Sequence, residues 1–191
     1  MNRKTFWVMA LFEGGLGVVA LVVLLLLQAP IPLLGNTGVW SLLWGAGAAL
    51  LTYALLVAAL RLWPFFQAKL SAHIWQLRQL FVSLSLIEFA FIATLAGIGE
   101  ELLFRVLLQS WLDTWLPASF AIIISALIFA AMHWLSVTYL TVTLVMGLVF
   151  GVVYHITQSL VLVASWHGIY DFIALVVVSR RPHWLLPTKD Q

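Results

Sequence analysis

Long apolar runs broken by short polar islands make up almost all of this sequence. The runs extend from about Phe6 to Leu27, Trp40 to Leu62, Leu84 to Leu116, Phe120 to Trp134, Thr138 to Tyr154 and Leu160 to Val178. About 20 consecutive apolar residues are enough for a helix to cross a bilayer. In lipid the backbone must satisfy its own hydrogen bonds, which a helix does. The pattern predicts an all-α fold, a polytopic transmembrane helical bundle of about six spans. Between the second and third runs, Pro64 to Ser83 mixes Lys69, His73 and Arg78 with Phe65, Phe66, Leu70, Ile74, Trp75 and Leu77. That mixture predicts one amphipathic helix lying in the membrane surface, with His73 as a solvated residue on it. Gln28 to Val39, with Pro30, Pro32, Gly35 and Asn36, reads as an uncharged, turn-rich link.

The run from Leu84 to Leu116 is too long for one straight span, and Gly97 and Gly99 within it could mark a break or kink. Counted as a single crossing, it leaves Arg3, Lys4, Arg61, Lys69, Arg78, Arg180, Arg181 and Lys189 on one side. That is the distribution the positive-inside rule requires, and it predicts that both termini are cytoplasmic. Counting it twice would export Arg180 and Arg181.

Composition narrows the class. The chain is 64% hydrophobic and 8% charged, against about 25% charged in soluble domains, so it is an integral membrane protein. Residues 1–191 read as a single membrane domain. The first apolar run is too long for a signal peptide and has no small-x-small site before Pro30, so it reads as a retained span. Cysteine is absent, which excludes disulfides, thiolate metal sites and cysteine nucleophiles. The formal charge of +2 is small, and the basic clusters flank apolar runs, which suits topology and argues against nucleic-acid binding. The small size suits a prokaryotic inner- or plasma-membrane protein.

Ionisable residues inside such runs are functional candidates, because a charge at the bilayer centre costs roughly 2.5–3.5 kcal/mol on the mildest scale. Gly97-Ile98-Gly99-Glu100-Glu101-Leu102-Leu103-Phe104-Arg105 carries three of them. Helical residues advance by roughly 100° each. Glu101 and Arg105 therefore share a face, acid before base, and read as a structural clamp. Glu100 is turned away and is left free for chemistry. The plainer alternative is a buried charge cluster that pins helices together. Glu88 reads as snorkelling to the interface. Glu13, followed by Gly14, Gly15 and Gly17, reads first as a helix-packing or snorkelling residue, with a second functional acid as the alternative.

Two further islands follow: Phe129-x-x-x-His133, then His167-x-x-x-Asp171, whose His and Asp lie one helical turn apart. His155 reads as an ordinary interface residue. Two histidines, an unpaired Glu and an Asp on separate helices each need a polar partner inside the bilayer. A shared water-filled cavity supplies one for all of them. A carboxylate with histidines can activate water for attack on a carbonyl. Glu100 would then take the proton, His133 would help place the water, and His167 would donate to the oxyanion. With a metal, His133, His167 and Asp171 or Glu100 would form a two-histidine, one-carboxylate set for zinc. The short helical motif His-Glu-x-x-His is absent.

Glu-Glu-x-x-x-Arg, Phe-x-x-x-His and His-x-x-x-Asp, in this order across apolar spans, resemble the CPBP (Abi) family of intramembrane proteases. That family includes the type II CAAX prenyl endopeptidases. The resemblance covers about residues 84–172, the candidate catalytic core. It implies a glutamate-dependent endopeptidase with a site in a membrane cavity open to the cytoplasm and no obligatory metal. Its partners would be membrane lipid and a protein or peptide substrate at the cytoplasmic leaflet, with no nucleic acid. Matched residue by residue, it implies that Glu100 and His133 activate the water. It makes His167 and Asp171 the oxyanion-hole pair, with Glu101 and Arg105 completing the first motif. Asp171 stands where the prenyl-protein enzymes have Asn. An ionised Asp cannot donate to an oxyanion, so it would be protonated, bind a metal or, as we favour, orient His167. Substrates consistent with the resemblance are CAAX proteins, bacteriocin leaders and signal peptides. The competing readings are a non-proteolytic scaffold or bacteriocin-immunity protein and a small proton-coupled transporter.

Overall fold

The computed structural model describes residues 3–186, so Lys189 and the end of the basic tail lie outside the described residues. Eight α-helices follow in order: α1 (Arg3–Leu26), α2 (Ser41–Leu62), α3 (Pro64–Phe81), α4 (Leu86–Glu101), α5 (Ser110–Asp113), α6 (Ala118–Met132), α7 (Val137–Thr157) and α8 (Leu160–Arg180). A π-helical segment, Leu102–Gln109, joins α4 to α5, and short 3-10 turns cover Gly35–Trp40 and Pro182–Trp184. The described residues form an all-α bundle. Helices α1, α2 (with its preceding turn), α7 and α8 are each long and apolar enough to cross a membrane. The α3–α4 pair passes the same test only when taken together, and it is bent by 115° at its junction. Leu11, Leu25, Leu50, Leu51, Leu55 and Ile87 are exposed on its outer surface. Large apolar patches of this kind suit a lipid-facing surface.

Helix α8 is the centre of the bundle, packed against α4 on one side and α2 on the other, while α1 lies along α4. Its ends are tied down. At one end Leu160 N and Val161 N donate to the carbonyls of Pro32 and Leu33 at 3.0 and 2.9 Å. At the other, Arg180 donates to the carbonyls of Val82 and Leu84. Three apolar clusters build the core. One, around Leu24, Val106, Tyr154 and Val163, fills the end away from α3. The others, around Leu60, Leu70, Ile74 and Val178 and around Phe81, Phe89 and Ile92, fill the end that carries α3.

Helix α3 is held as the sequence pattern expects. Trp63 and Pro64 turn the chain out of α2, with proline at the first helical position, where its missing N–H is no loss. Leu70, Ile74 and Phe81 are buried against the bundle, while Phe65 and Trp75 are exposed. Gln67 Nε2 donates to the Leu185 carbonyl at 2.8 Å, which pins α3 to the last 3-10 turn.

Two expectations change. Gly97 and Gly99 do not break or kink α4, which is continuous from Leu86 to Glu101. They are crossing points. A Cβ on Gly97 would come within 2.5 Å of the Ala164 carbonyl on α8, and one on Gly99 within 2.5 Å of the Glu13 carbonyl on α1. The irregularity comes later, in the π segment after Glu101. Glu88, read as snorkelling, has a local partner that spacing did not give it: it closes a capping box with Ser85, whose backbone N–H donates to Glu88 Oε2 at 2.7 Å.

Candidate active site

The clamp forms inside the core. Glu101 and Arg105 are both 0% exposed, with Arg105 Nε 3.0 Å from Glu101 Oε2. A guanidinium buried this deeply needs further partners. Arg105 Nη1 donates to Ser125 Oγ at 3.3 Å, and Ser125 Oγ donates to the Phe104 carbonyl at 2.8 Å. The guanidinium also stands 5.1 Å from the centre of the Phe129 ring. The π segment begins one residue after Glu101, a common feature of functional helices. Two side chains stabilise it: Ser110 Oγ donates to the Arg105 carbonyl at 3.1 Å, and buried Gln109 Nε2 donates to the Gly151 carbonyl on α7 at 2.9 Å.

Sequence spacing gives Glu101 one partner; the fold adds a second. His167 Nδ1, on α8, lies 2.9 Å from Glu101 Oε1. The other ring nitrogen, Nε2, lies 3.4 Å from Asp171 Oδ2 on the next turn of α8. The Nδ1 contact with Glu101 is a hydrogen bond, while the longer one between Nε2 and Asp171 is an electrostatic contact. Phe150 of α7 stacks on the ring at 5.4 Å between centres and 26° between planes. Phe150 and Ser125 escaped the sequence reading, since one aromatic and one hydroxyl in apolar helices carry no distinguishing signal.

Glu100 takes the face turned away from the clamp. It is 4% exposed, on the wall of a cavity. His133 meets it there because α6 is short. Fifteen residues reach only about 22 Å, less than the roughly 30 Å hydrocarbon core. The helix therefore ends level with the middle of the Leu86–Asp113 rod, and His133 is the residue at its C-terminal cap. Its Nδ1 donates to the Phe129 carbonyl at 2.8 Å, which turns Nε2 toward Glu100 Oε2 at 3.5 Å. That separation is an electrostatic contact, longer than a tight hydrogen bond. Phe129 supports both halves of the site. Its ring centre lies 4.6 Å from His133, 6.0 Å from His167 and 5.2 Å, edge to face, from Phe104.

The cavity has a volume of about 270 Å³ and lies in the half of the bundle that carries α3. Glu100, His133, Asp171 and Glu13 border it, and Leu60, Ile74 and Phe81 are among its apolar walls. Two residues depart from expectation here. Glu13 does not snorkel: it is 6% exposed and lines the same cavity as Glu100. His73 is not simply solvated, since it lines the cavity too and its ring stacks on Tyr139 at 6.3 Å. His155 is exposed at the opposite end of α7, away from the site.

The zinc set of His133, His167 and Asp171 or Glu100 does not fit this arrangement. His167 has a carboxylate oxygen at each ring nitrogen, which leaves it no lone pair turned toward a shared ion with His133. Among the described residues no three His, Asp or Glu side chains converge as a metal site.

The family described as type II CAAX prenyl endopeptidase Rce1-like matches residues 81–173, just under half of the chain. All three polar islands lie inside that segment, and α1, α2 and nearly all of α3 lie outside it. No curated protein and no solved structure matches the chain significantly.

Proposed function

Since this chain belongs to the CPBP/CAAX protease family of membrane hydrolases, we propose that it is an intramembrane endopeptidase using a water activated by Glu100 and His133. The observation that carries the reading is the Glu100–His133 pair. These side chains are 33 positions apart, contributed by α4 and the end of α6, and meet at 3.5 Å on the wall of one cavity. A scaffold has no need of that arrangement.

In the reaction, Glu100 takes a proton from a water that also contacts His133, and the hydroxide attacks the carbonyl carbon of the scissile bond. The developing oxyanion takes a hydrogen bond from His167 Nε2–H in place of that nitrogen's 3.4 Å contact with Asp171, while Glu101 holds the ring from behind through Nδ1. The proton on Glu100 then passes to the departing amine nitrogen, which leaves a carboxylic acid and an amine. Glu101 and Arg105 are the rigid support. No step passes through a metal.

The substrate enters from the end of the bundle carrying α3, Arg61, Lys69, Arg78 and Arg180, which we take as cytoplasmic together with both termini. The apolar walls suit a hydrophobic or lipidated segment, as in CAAX-type processing or the maturation of a bacteriocin or signal peptide. The test compares protein and peptide termini in membranes of host cells lacking the gene, complemented with wild type or with Glu100→Ala at matched abundance. A terminus found with wild type alone is the expected result. Identical termini, with the host phenotype restored by both, would favour a non-proteolytic scaffold.

A further inference from the structure

The scheme above leaves one buried acid without a task. Glu13 lies on α1, outside the segment that matches the family, yet lines the cavity beside Glu100. The backbone puts it there. Gly99 packs against the Glu13 carbonyl, and a Cβ on Gly17 would stand 3.1 Å from Gly99 Cα. So close a crossing puts the Glu13 side chain on the same cavity wall as Glu100 of the adjacent helix.

Neither acid has the donors its burial calls for. Glu13 Oε2 and Glu100 Oε2 are both buried without a hydrogen-bond donor among the described residues. Of the nearby basic side chains, Arg105 and His167 are engaged with Glu101, and His133 reaches Glu100 only at 3.5 Å. The charged groups that face Glu13 are Glu100 on α4 and Asp171 and His167 on α8. Two carboxyls side by side on a largely apolar cavity wall are stabilised by holding one proton between them. A hydrogen bond from the protonated partner stabilises the ionised one.

We propose that Glu13 is a positioning residue that donates this shared hydrogen to the Glu100 carboxylate, keeping Glu100 ionised and aimed at the water. The proposal rests on the reading of Glu100 as the base. It assigns α1 a part in the chemistry, not merely in packing.

The test uses the full-length protein in detergent or liposomes, with two nearly isosteric variants. Glu13→Gln retains an N–H donor, and Glu13→Leu removes it. We expect Glu13→Leu to lower kcat by about 10- to 100-fold at unchanged KM, the loss of one hydrogen bond to a charged group. Glu13→Gln should retain most of the wild-type kcat. Wild-type kcat in folded Glu13→Leu, or equal damage in folded Glu13→Gln and Glu13→Leu, overturns the proposal. An infrared spectrum supplies a readout that needs no turnover. Wild type should show a buried protonated carboxyl stretch that Glu13→Gln lacks, and its persistence in that variant also overturns the proposal. If wild type cleaves no peptide, the peptidase reading fails, and the infrared comparison still decides the Glu13–Glu100 pair.

Discussion

His167 is held from behind by Glu101: its Nδ1 sits 2.9 Å from a carboxylate 66 residues earlier in the chain. The same carboxylate holds Arg105 at 3.0 Å through its other oxygen. Glu101 thus joins the internal support of α4 to a side chain of the candidate oxyanion hole on α8.

This sharing orders two stability effects. Arg105→Ala leaves Glu101 with His167 as a remaining partner. Glu101→Gln leaves the Arg105 guanidinium buried and unpaired and also releases His167. Breaking a buried ion pair from one side costs about 3–5 kcal/mol. Both variants should therefore melt earlier in detergent and accumulate less in the membrane, with Glu101→Gln the worse. Arg105→Ala as stable as wild type would remove the clamp assignment.

Glu100 and His133 should behave in the opposite way. Neither belongs to the clamp, and both face the cavity. Glu100→Gln and His133→Ala should each lower cleavage of a reporter substrate by about 10²- to 10⁴-fold, the range for a lost general acid–base group. Their melting temperatures should stay near wild type. Full function in Glu100→Gln would mean that the carboxylate takes no proton.

Phe129 tests the link between packing and chemistry. It is 2% exposed and touches His133, His167 and Phe104. Phe129→Ala should cost about 3–5 kcal/mol through the cavity it leaves. Activity should fall further than the folded fraction does, since the His133 ring loses its support. Thermal melts and kcat measured on the same preparation separate the two effects.

Glycine positions provide a paired control. A methyl on Gly99 would meet the Glu13 carbonyl at 2.5 Å, whereas one on Gly15 has nothing within 4 Å. Gly99→Ala should push α1 away from α4 and impair cleavage while helical content is kept. Gly15→Ala should leave both unchanged. Circular dichroism and the reporter assay are sufficient to compare them.

The apolar runs alone predicted the helices, because backbone in lipid has to hydrogen-bond internally whatever lies around it. The amphipathic character of α3 and the pairing of Glu101 with Arg105 were also legible, as both depend on spacing within one helix. Tertiary structure decided what crosses between helices. Helical period says which residues share a face of their own helix and nothing of how that face is turned toward another helix. For that reason Glu13, read first as a helix-packing or snorkelling residue, and His73, read as solvated, prove to line the cavity, Gly97 and Gly99 read as a kink and prove to be crossings, and the Glu101–His167 bond was out of reach. Close backbone approach at Gly17, Gly97 and Gly99 sets the rotation of α1 and α8 against α4, and that rotation brings Glu13, Glu100 and Asp171, scattered through the sequence, to one cavity wall.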